Sequence, residues 1–164
     1  MINKKIQGKK NKASGARFEL KVRKDLESKG WIVDKWSNNV EFEQIEYPVD
    51  SNCGFTEGKL IPAKRKYNPF KGVFVIGTGF PDFIAFKILE REGIYCMVET
   101  NQKNTREFLY EVIGVESKSN GYLDKEEKGK MDWLLQNHVF SKILVAMKDK
   151  NKRGGIIYKE YEKN

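Results

Sequence analysis

The chain has 164 residues, 39% apolar and 12% aromatic, which is the size and hydrophobicity of one globular domain with its own core and excludes disorder throughout. Its 31 Lys and Arg outnumber 23 Asp and Glu for a net charge of +8, a balance that favours a polyanionic partner, nucleic acid or acidic lipid. No apolar run approaches the roughly 18 residues of a membrane helix, and no apolar segment follows the basic N-terminus as it does in a secretory signal.

Cys53 and Cys96 lack the paired spacing of a structural zinc site, and His138 is the only histidine, so chemistry built on paired histidines is excluded. The expected compartment is intracellular and reducing, with no membrane partner. Residues 1–13, MINKKIQGKKNKA, carry five lysines and read as a flexible basic arm, with a solvated tail as the plain alternative. A helix is expected over 14–29, with Ser14 as N-cap and Gly30 where it stops. Phe18, Val22 and Leu26 fall at i, i+4 and i+8 and make one apolar stripe. Glu19 lies on the edge of that stripe, either as a boundary residue or as a functional acid.

WIVDKW, 31–36, reads as a strand. Residues 37–72 hold Pro48, Pro62 and Pro69 and no sustained period, the mark of a long loop. Within them, AKRKYNPFKG sets Lys64, Arg65, Lys66 and Lys71 around Tyr67 and Phe70. Basic residues interleaved with aromatics suit a groove that neutralises phosphates and stacks bases, and a solvated charge run is the bland alternative. GVFVIG reads as a short strand. PDFIAFKIL and IYCMV read as β with a turn at EREG, and REFLYEVIGVESK, 106–118, as a further strand. LDKEEKGKMDWLLQN, 123–137, is a helix with Asp124 as N-cap. KILVAMK is a buried strand and GGIIYKEY a closing one. The expectation is an α/β core with a mixed central sheet, forming one domain over 14–164.

Two acids stand where a strand normally carries Val or Ile. Asp82 opens one strand, in GFPDFIAFK, and Glu116 closes another, in VIGVESKSN. If these strands pair antiparallel, the two acids meet at one end of the sheet. Glu116 and Lys118 share a face by the period of two, and the backbone carbonyl of Ser117 lies between them. Carboxylate oxygens are hard ligands suited to Mg²⁺. A neighbouring lysine can orient or help deprotonate an attacking water and offset charge on phosphorus oxygens. A structural salt bridge from Asp82 or Glu116 to Lys118 is the plain alternative.

The pattern GFPDF…VESK resembles the PD-(D/E)XK nuclease superfamily, through Pro81-Asp82 at a strand start and Glu116-Ser117-Lys118 at a strand end. ARFELKVRKDLESKGW is similar to the start of archaeal Holliday junction resolvases, and VESKSNGYLDKEEKGKMDWLL…KILVAMK is similar to VRR-type nuclease domains. The resemblance covers 14–36 and 79–148. It implies a restriction-endonuclease-like core, a mixed sheet flanked by helices in the order helix-strand-strand-strand-helix-strand, with a long insert before the second core strand. It implies a metal-dependent DNA endonuclease, structure-selective in the manner of a resolvase. Asp82, Glu116, the Ser117 carbonyl and Glu19 would serve Mg²⁺ (or Mn²⁺ in its place), with Glu19, Asp82, Glu116 and Lys118 as catalytic residues and DNA as partner. Resolvases of this type act as homodimers. Glu99 and Glu111 are rival acids between Asp82 and Glu116. Lys128 and Lys130 stand on the second helix, where some members carry glutamine, in reach of phosphates. A non-catalytic nucleic-acid-binding module on the same fold is the alternative reading.

Overall fold

The structure is a computed structural model that describes residues 4–42, 58–68, 72–76, 79–89 and 109–162. Helix α1 spans Lys4–Ser28, β1 Ile32–Lys35, β2 Asn38–Phe42, β3 Gly58–Pro62, β4 Arg65–Asn68, β5 Val73–Ile76, β6 Phe83–Ile88 and β7 Tyr110–Ser117. Helix α2 spans Lys125–Gln136, followed by β8 Lys142–Lys148 and β9 Ile156–Glu160. The fold is α/β, built on a five-stranded sheet in the order β1-β6-β7-β8-β9. It is mixed: β7 and β8 are parallel, and the other neighbours are antiparallel.

Helix α1 begins ten residues ahead of the expected Ser14 cap, so the basic segment from Lys4 onward is helical. Periodicity marks where a helix is buried, not where it exists. The segment before Phe18 has no apolar stripe, yet its lysines, alanines and Gln7 are good helix formers and no proline interrupts them. The C-terminal end is as expected. Gly30, at φ 81°, donates its N–H to the Glu27 carbonyl, and Trp31 donates to that of Leu26, the paired bonds of a Schellman motif. The chain then turns directly into β1.

Helix α1 lays Phe18, Val22 and Leu26 on one face of the sheet, against Val33, Phe83, Ala85, Ile113, Val115 and Ala146. Helix α2 lays Met131 and Leu134 on the other, with Val40, Phe80, Phe140, Ile143 and Val145. Each fully buried side chain of this kind contributes roughly 1.5–3 kcal/mol. Asp124 caps α2 and accepts from the Glu127 amide, while Glu127 reaches back to the Asp124 amide, a capping box.

The stretch 37–72, expected as loop, is in part sheet: β2 pairs with β3 and β4 with β5, both antiparallel. The first hairpin folds onto α2, where Gly58 leaves room for Trp133 and Phe42. The IYCMV strand lies outside the described residues, as does the EREG turn beyond Leu89. Among the described residues, no helix is long and apolar enough to cross a membrane.

Register fixes what shares an end of the sheet. Lys35 at the end of β1 pairs with Phe83 at the start of β6. Ser117 at the end of β7 pairs with Ala146 near the end of β8, and Lys148 pairs with Ile156 at the start of β9. The exits of β1, β7 and β8 and the entries of β6 and β9 therefore lie at one edge of the domain.

Candidate active site

Asp82 is delivered to that edge by a buried segment. Pro81 is fully buried, and the Phe80–Pro81 peptide bond is cis. Gly114 on β7 makes the space: a Cβ there would lie 2.9 Å from Pro81 Cγ and 3.1 Å from the Phe140 ring. The Phe80 amide donates to the Asn38 carbonyl at 2.9 Å, and the Asp82 carbonyl accepts from the Trp36 amide at 3.2 Å. The chain on either side of Asp82 is thus stitched to the β1–β2 connection.

The pairing of β6 with β7 ends at Phe83 and Val115, so Asp82 and Glu116 are the next residues along the two chains, at the same end of the sheet. Each carboxylate is then held by backbone from the other strand. Glu116 Oε2 accepts from the Asp82 amide at 3.1 Å, and Asp82 Oδ2 accepts from the Ser117 amide at 3.0 Å. Glu116 is 5% exposed, the one charged residue buried among those described.

Burial, with the nearby Asp82 charge adding to it, pushes the Glu116 carboxyl up to about 8. Burial also raises Asp82; the Ser117 amide opposes this, the Glu19 charge adds to it, and Lys35 pulls the other way. Lys118 Nζ stands 3.4 Å from Glu116 Oε1 and is ion-paired with Glu127. Burial works against the Lys118 charge, but the Glu127 and Glu116 carboxylates outweigh it and hold the ammonium above its usual range.

Glu19 approaches the same edge from α1. Its carboxylate pairs with Lys35 Nζ at 3.1 Å, and both charges act on Asp82. The structure therefore brings Asp82, Glu116, Ser117 and Lys118 together, with Glu19 beside them through Lys35. Lys35 and Glu127 are the neighbours that sequence reasoning missed. Glu127 carried a signal, the Asp-x-x-Glu spacing of a capping box ahead of an apolar run. Lys35 carried none, because its place depends on how β1 pairs.

Of the rival acids, Glu111 pairs with Lys142 at 2.6 Å and sits opposite Lys87, five residues up the strand from Glu116. Glu99 lies outside the described residues, as does Lys71. Lys64 is exposed and 3.4 Å from Glu41. Arg65 and Lys66 lie on β4. Lys128 is exposed on α2, and Lys130 pairs with Glu126 at 2.6 Å and stands 5.8 Å over the Phe80 ring.

Comparison with protein-family models, with curated proteins and with solved structures finds no match to the chain.

A Mg²⁺ ion needs one or two carboxylates and completes its shell with water and substrate phosphate, and does not require a cage of protein ligands. Among the described residues no three of His, Cys, Asp and Glu gather into such a cage. Two adjacent carboxylates, Glu116 buried and Asp82 half-buried, both raised chiefly by burial, fit the lesser requirement. Ser117 adds to the fit. Ser117 closes β7 directly after Glu116, and its amide is the one that donates to Asp82, so its carbonyl belongs to the same strand end.

Proposed function

We propose that this protein is a divalent-metal-dependent DNA endonuclease that hydrolyses phosphodiester bonds, structure-selective in the manner of the Holliday junction resolvases it resembles. The observation that carries the reading is the reciprocal hydrogen bonding that holds Asp82 and Glu116 together at a strand end, with Lys118 3.4 Å from Glu116. The core on which they sit, an α/β mixed sheet with α1 on one face and α2 on the other, is compatible with a restriction-endonuclease-like arrangement.

Asp82, Glu116 and the Ser117 carbonyl are the groups that would hold Mg²⁺ or Mn²⁺, with Glu19 on a water or a second ion. Such an ion supplies Lewis acidity to the scissile phosphate and neutralises its charge. The chain's own residues supply the rest. Lys118, held protonated by two carboxylates, acts as a cation: it orients the attacking water and offsets charge on the phosphorus oxygens. It is not poised to take a proton. Glu127 fixes the direction of Lys118, and the buried Phe80–Pro81 segment fixes Asp82.

The alternative is a nucleic-acid-binding module without chemistry, favoured by the engagement of Lys118 with Glu127 in an ordinary ion pair. The test is incubation of the purified protein with labelled junction, flap and linear DNA in Mg²⁺, Mn²⁺ or EDTA. The nuclease reading expects metal-dependent products from wild type and none from Asp82→Ala or Lys118→Ala, with DNA affinity kept. Binding with no products in either metal favours the module.

A further inference from the structure

Half of α1 has no core beneath it. Lys148, at the end of β8, stands 5.9 Å over the Phe18 ring, and Glu19 meets Lys35 at the end of β1. Phe18 is therefore level with the site edge of the sheet, and the helix before it continues past that edge. Every residue from Lys10 to Arg17 is exposed, and Gly8 and Gly15 have open space where a Cβ would be. At about 1.5 Å per residue the overhang is roughly 20 Å long. It contains no acid from Lys4 to Phe18.

A second basic element meets α1 just beyond Phe18, at Lys21 and Lys24. The turn between β8 and β9 exposes Lys150, Lys152 and Arg153. Its one acid, Asp149, is used in the turn itself, accepting from the Asn151 amide at 2.7 Å. Lys21 Nζ donates to the Gly154 carbonyl and ties helix to turn. Between them lies a cleft of about 550 Å³ that Lys21, Lys24, Lys152 and Arg153 line. Asp25, the acid on its α1 wall, is taken up by Lys29 and the Tyr158 hydroxyl. Lys10, Lys12, Arg17, Lys150, Lys152 and Arg153 form no ion pair among the described residues. The exit of β8 into this turn adjoins that of β7: the Lys118 amide donates to the Ala146 carbonyl, and the Lys148 amide to that of Ser119.

We infer that the overhanging half of α1 and the β8–β9 turn form one phosphate-binding face for duplex DNA, which holds the duplex against the edge carrying Asp82 and Glu116. The choice of DNA as the polyanion rests on the proposed nuclease reading; the face itself does not. A helix with no buried face gains nothing from packing, and its lysines repel one another, so a lattice of phosphates is what complements it. Its length exceeds the roughly 12 Å width of a major groove. An anionic membrane is the weaker fit, since a membrane-surface helix needs an apolar face and residues 4–17 hold a single apolar side chain larger than Ala, Ile6.

The experiment is fluorescence anisotropy of a labelled 30-base-pair duplex in EDTA across a salt series, with cleavage in Mg²⁺ scored separately. Two triple variants, Lys10→Gln/Lys12→Gln/Arg17→Gln and Lys150→Gln/Lys152→Gln/Arg153→Gln, are compared with wild type and with Asp82→Ala. Each triple variant is expected to lose about tenfold or more in affinity, and to flatten the salt slope by roughly one unit for each phosphate it no longer neutralises. Asp82→Ala should bind as wild type does. The Lys→Arg counterparts, with Arg17 and Arg153 kept, should retain affinity, which separates the effect of charge from that of folding. Wild-type affinity and slope in both Gln variants would overturn the face, as would binding to phosphatidylserine vesicles in place of DNA. An absence of cleavage by wild type would instead count against the nuclease reading and leave the binding comparison standing.

Discussion

Asp82 and Glu116 hold one another through backbone amides: the Asp82 N–H donates to Glu116 at 3.1 Å, and the Ser117 N–H beside Glu116 donates to Asp82 at 3.0 Å. Two acids are thereby fixed side by side where burial opposes the ionisation of both and the Asp82 charge further opposes that of Glu116. That arrangement is costly without a cation and useful with one.

The first prediction is the resulting pH dependence. An ordinary glutamate in the unfolded chain loses its proton near 4.5, whereas folded Glu116 keeps it up to about 8. Between those values the folded state binds the extra proton, so this group's contribution to stability falls as pH rises through the window. A divalent ion competes with the same proton and gains as pH rises. Melting temperatures at pH 6 and pH 8.5, with and without Mg²⁺, should therefore show a larger metal-induced rise at the higher pH. Glu116→Gln should remove both the dependence and the metal response. Equal melting temperatures with and without Mg²⁺ at both pH values would show that the pair holds no ion.

The second prediction separates Glu127 from the helix it caps. Glu127 uses one oxygen for the Asp124 amide and the other for Lys118. Glu127→Gln should lower the single-turnover rate by about tenfold or more, the worth of a charge-assisted hydrogen bond of about 1.5 kcal/mol, with little change in KM. Asp124→Ala should cost about 1 kcal/mol of stability through the missing cap, with a smaller effect on rate. Urea melts and cleavage rates measured on both variants check this. A Glu127→Gln enzyme that is destabilised yet turns over normally would reduce Glu127 to a cap.

A third prediction concerns Gly114. Its missing side chain is the space that Pro81 and Phe140 occupy, and β7 is paired on both sides, so the strand cannot move away. Gly114→Val should destabilise by roughly 1–3 kcal/mol through overpacking. It should also displace Pro81 and so remove activity at temperatures where the fold survives. Urea denaturation alongside cleavage measures the two effects. A stable and fully active variant would mean that Asp82 is not positioned through Pro81.

Much of this was legible in the sequence, for physical reasons. Phe18, Val22 and Leu26 announce α1 because a half-buried helix must repeat its apolar residues. Asp82 and Glu116 stand out because strand ends in a core rarely carry acids. The front half of α1 was hidden for the converse reason, since a helix that buries nothing leaves no period to detect. The β2–β3 hairpin was hidden because β3 shows no alternation along its length, with Lys59 and Leu60 both exposed in succession. Lys35 and the β8–β9 turn reach the site edge only through strand order, a long-range property that no local pattern encodes.

The last prediction tests what Glu19 does. Its charge raises Asp82 while Lys35, bonded to it at 3.1 Å, lowers Asp82. If Glu19 acts only through that field, Glu19→Gln removes a repulsion and makes Asp82 easier to ionise, so the acid limb of the rate profile moves to lower pH and the plateau is unchanged. Lys35→Gln, which removes the opposing charge, should then move the limb to higher pH. If Glu19 instead serves the metal or its water, Glu19→Gln lowers the plateau at every pH and spares DNA affinity. The proposed nuclease expects the second pattern for Glu19 and the first kind of shift for Lys35, because Glu19 is 28% exposed at the site edge and can take up a cation in the place that Lys35 now fills. Rates measured from pH 5 to 9 at saturating Mg²⁺ distinguish them. An unchanged plateau in Glu19→Gln would remove Glu19 from the catalytic set while leaving Asp82, Glu116 and Lys118 in it.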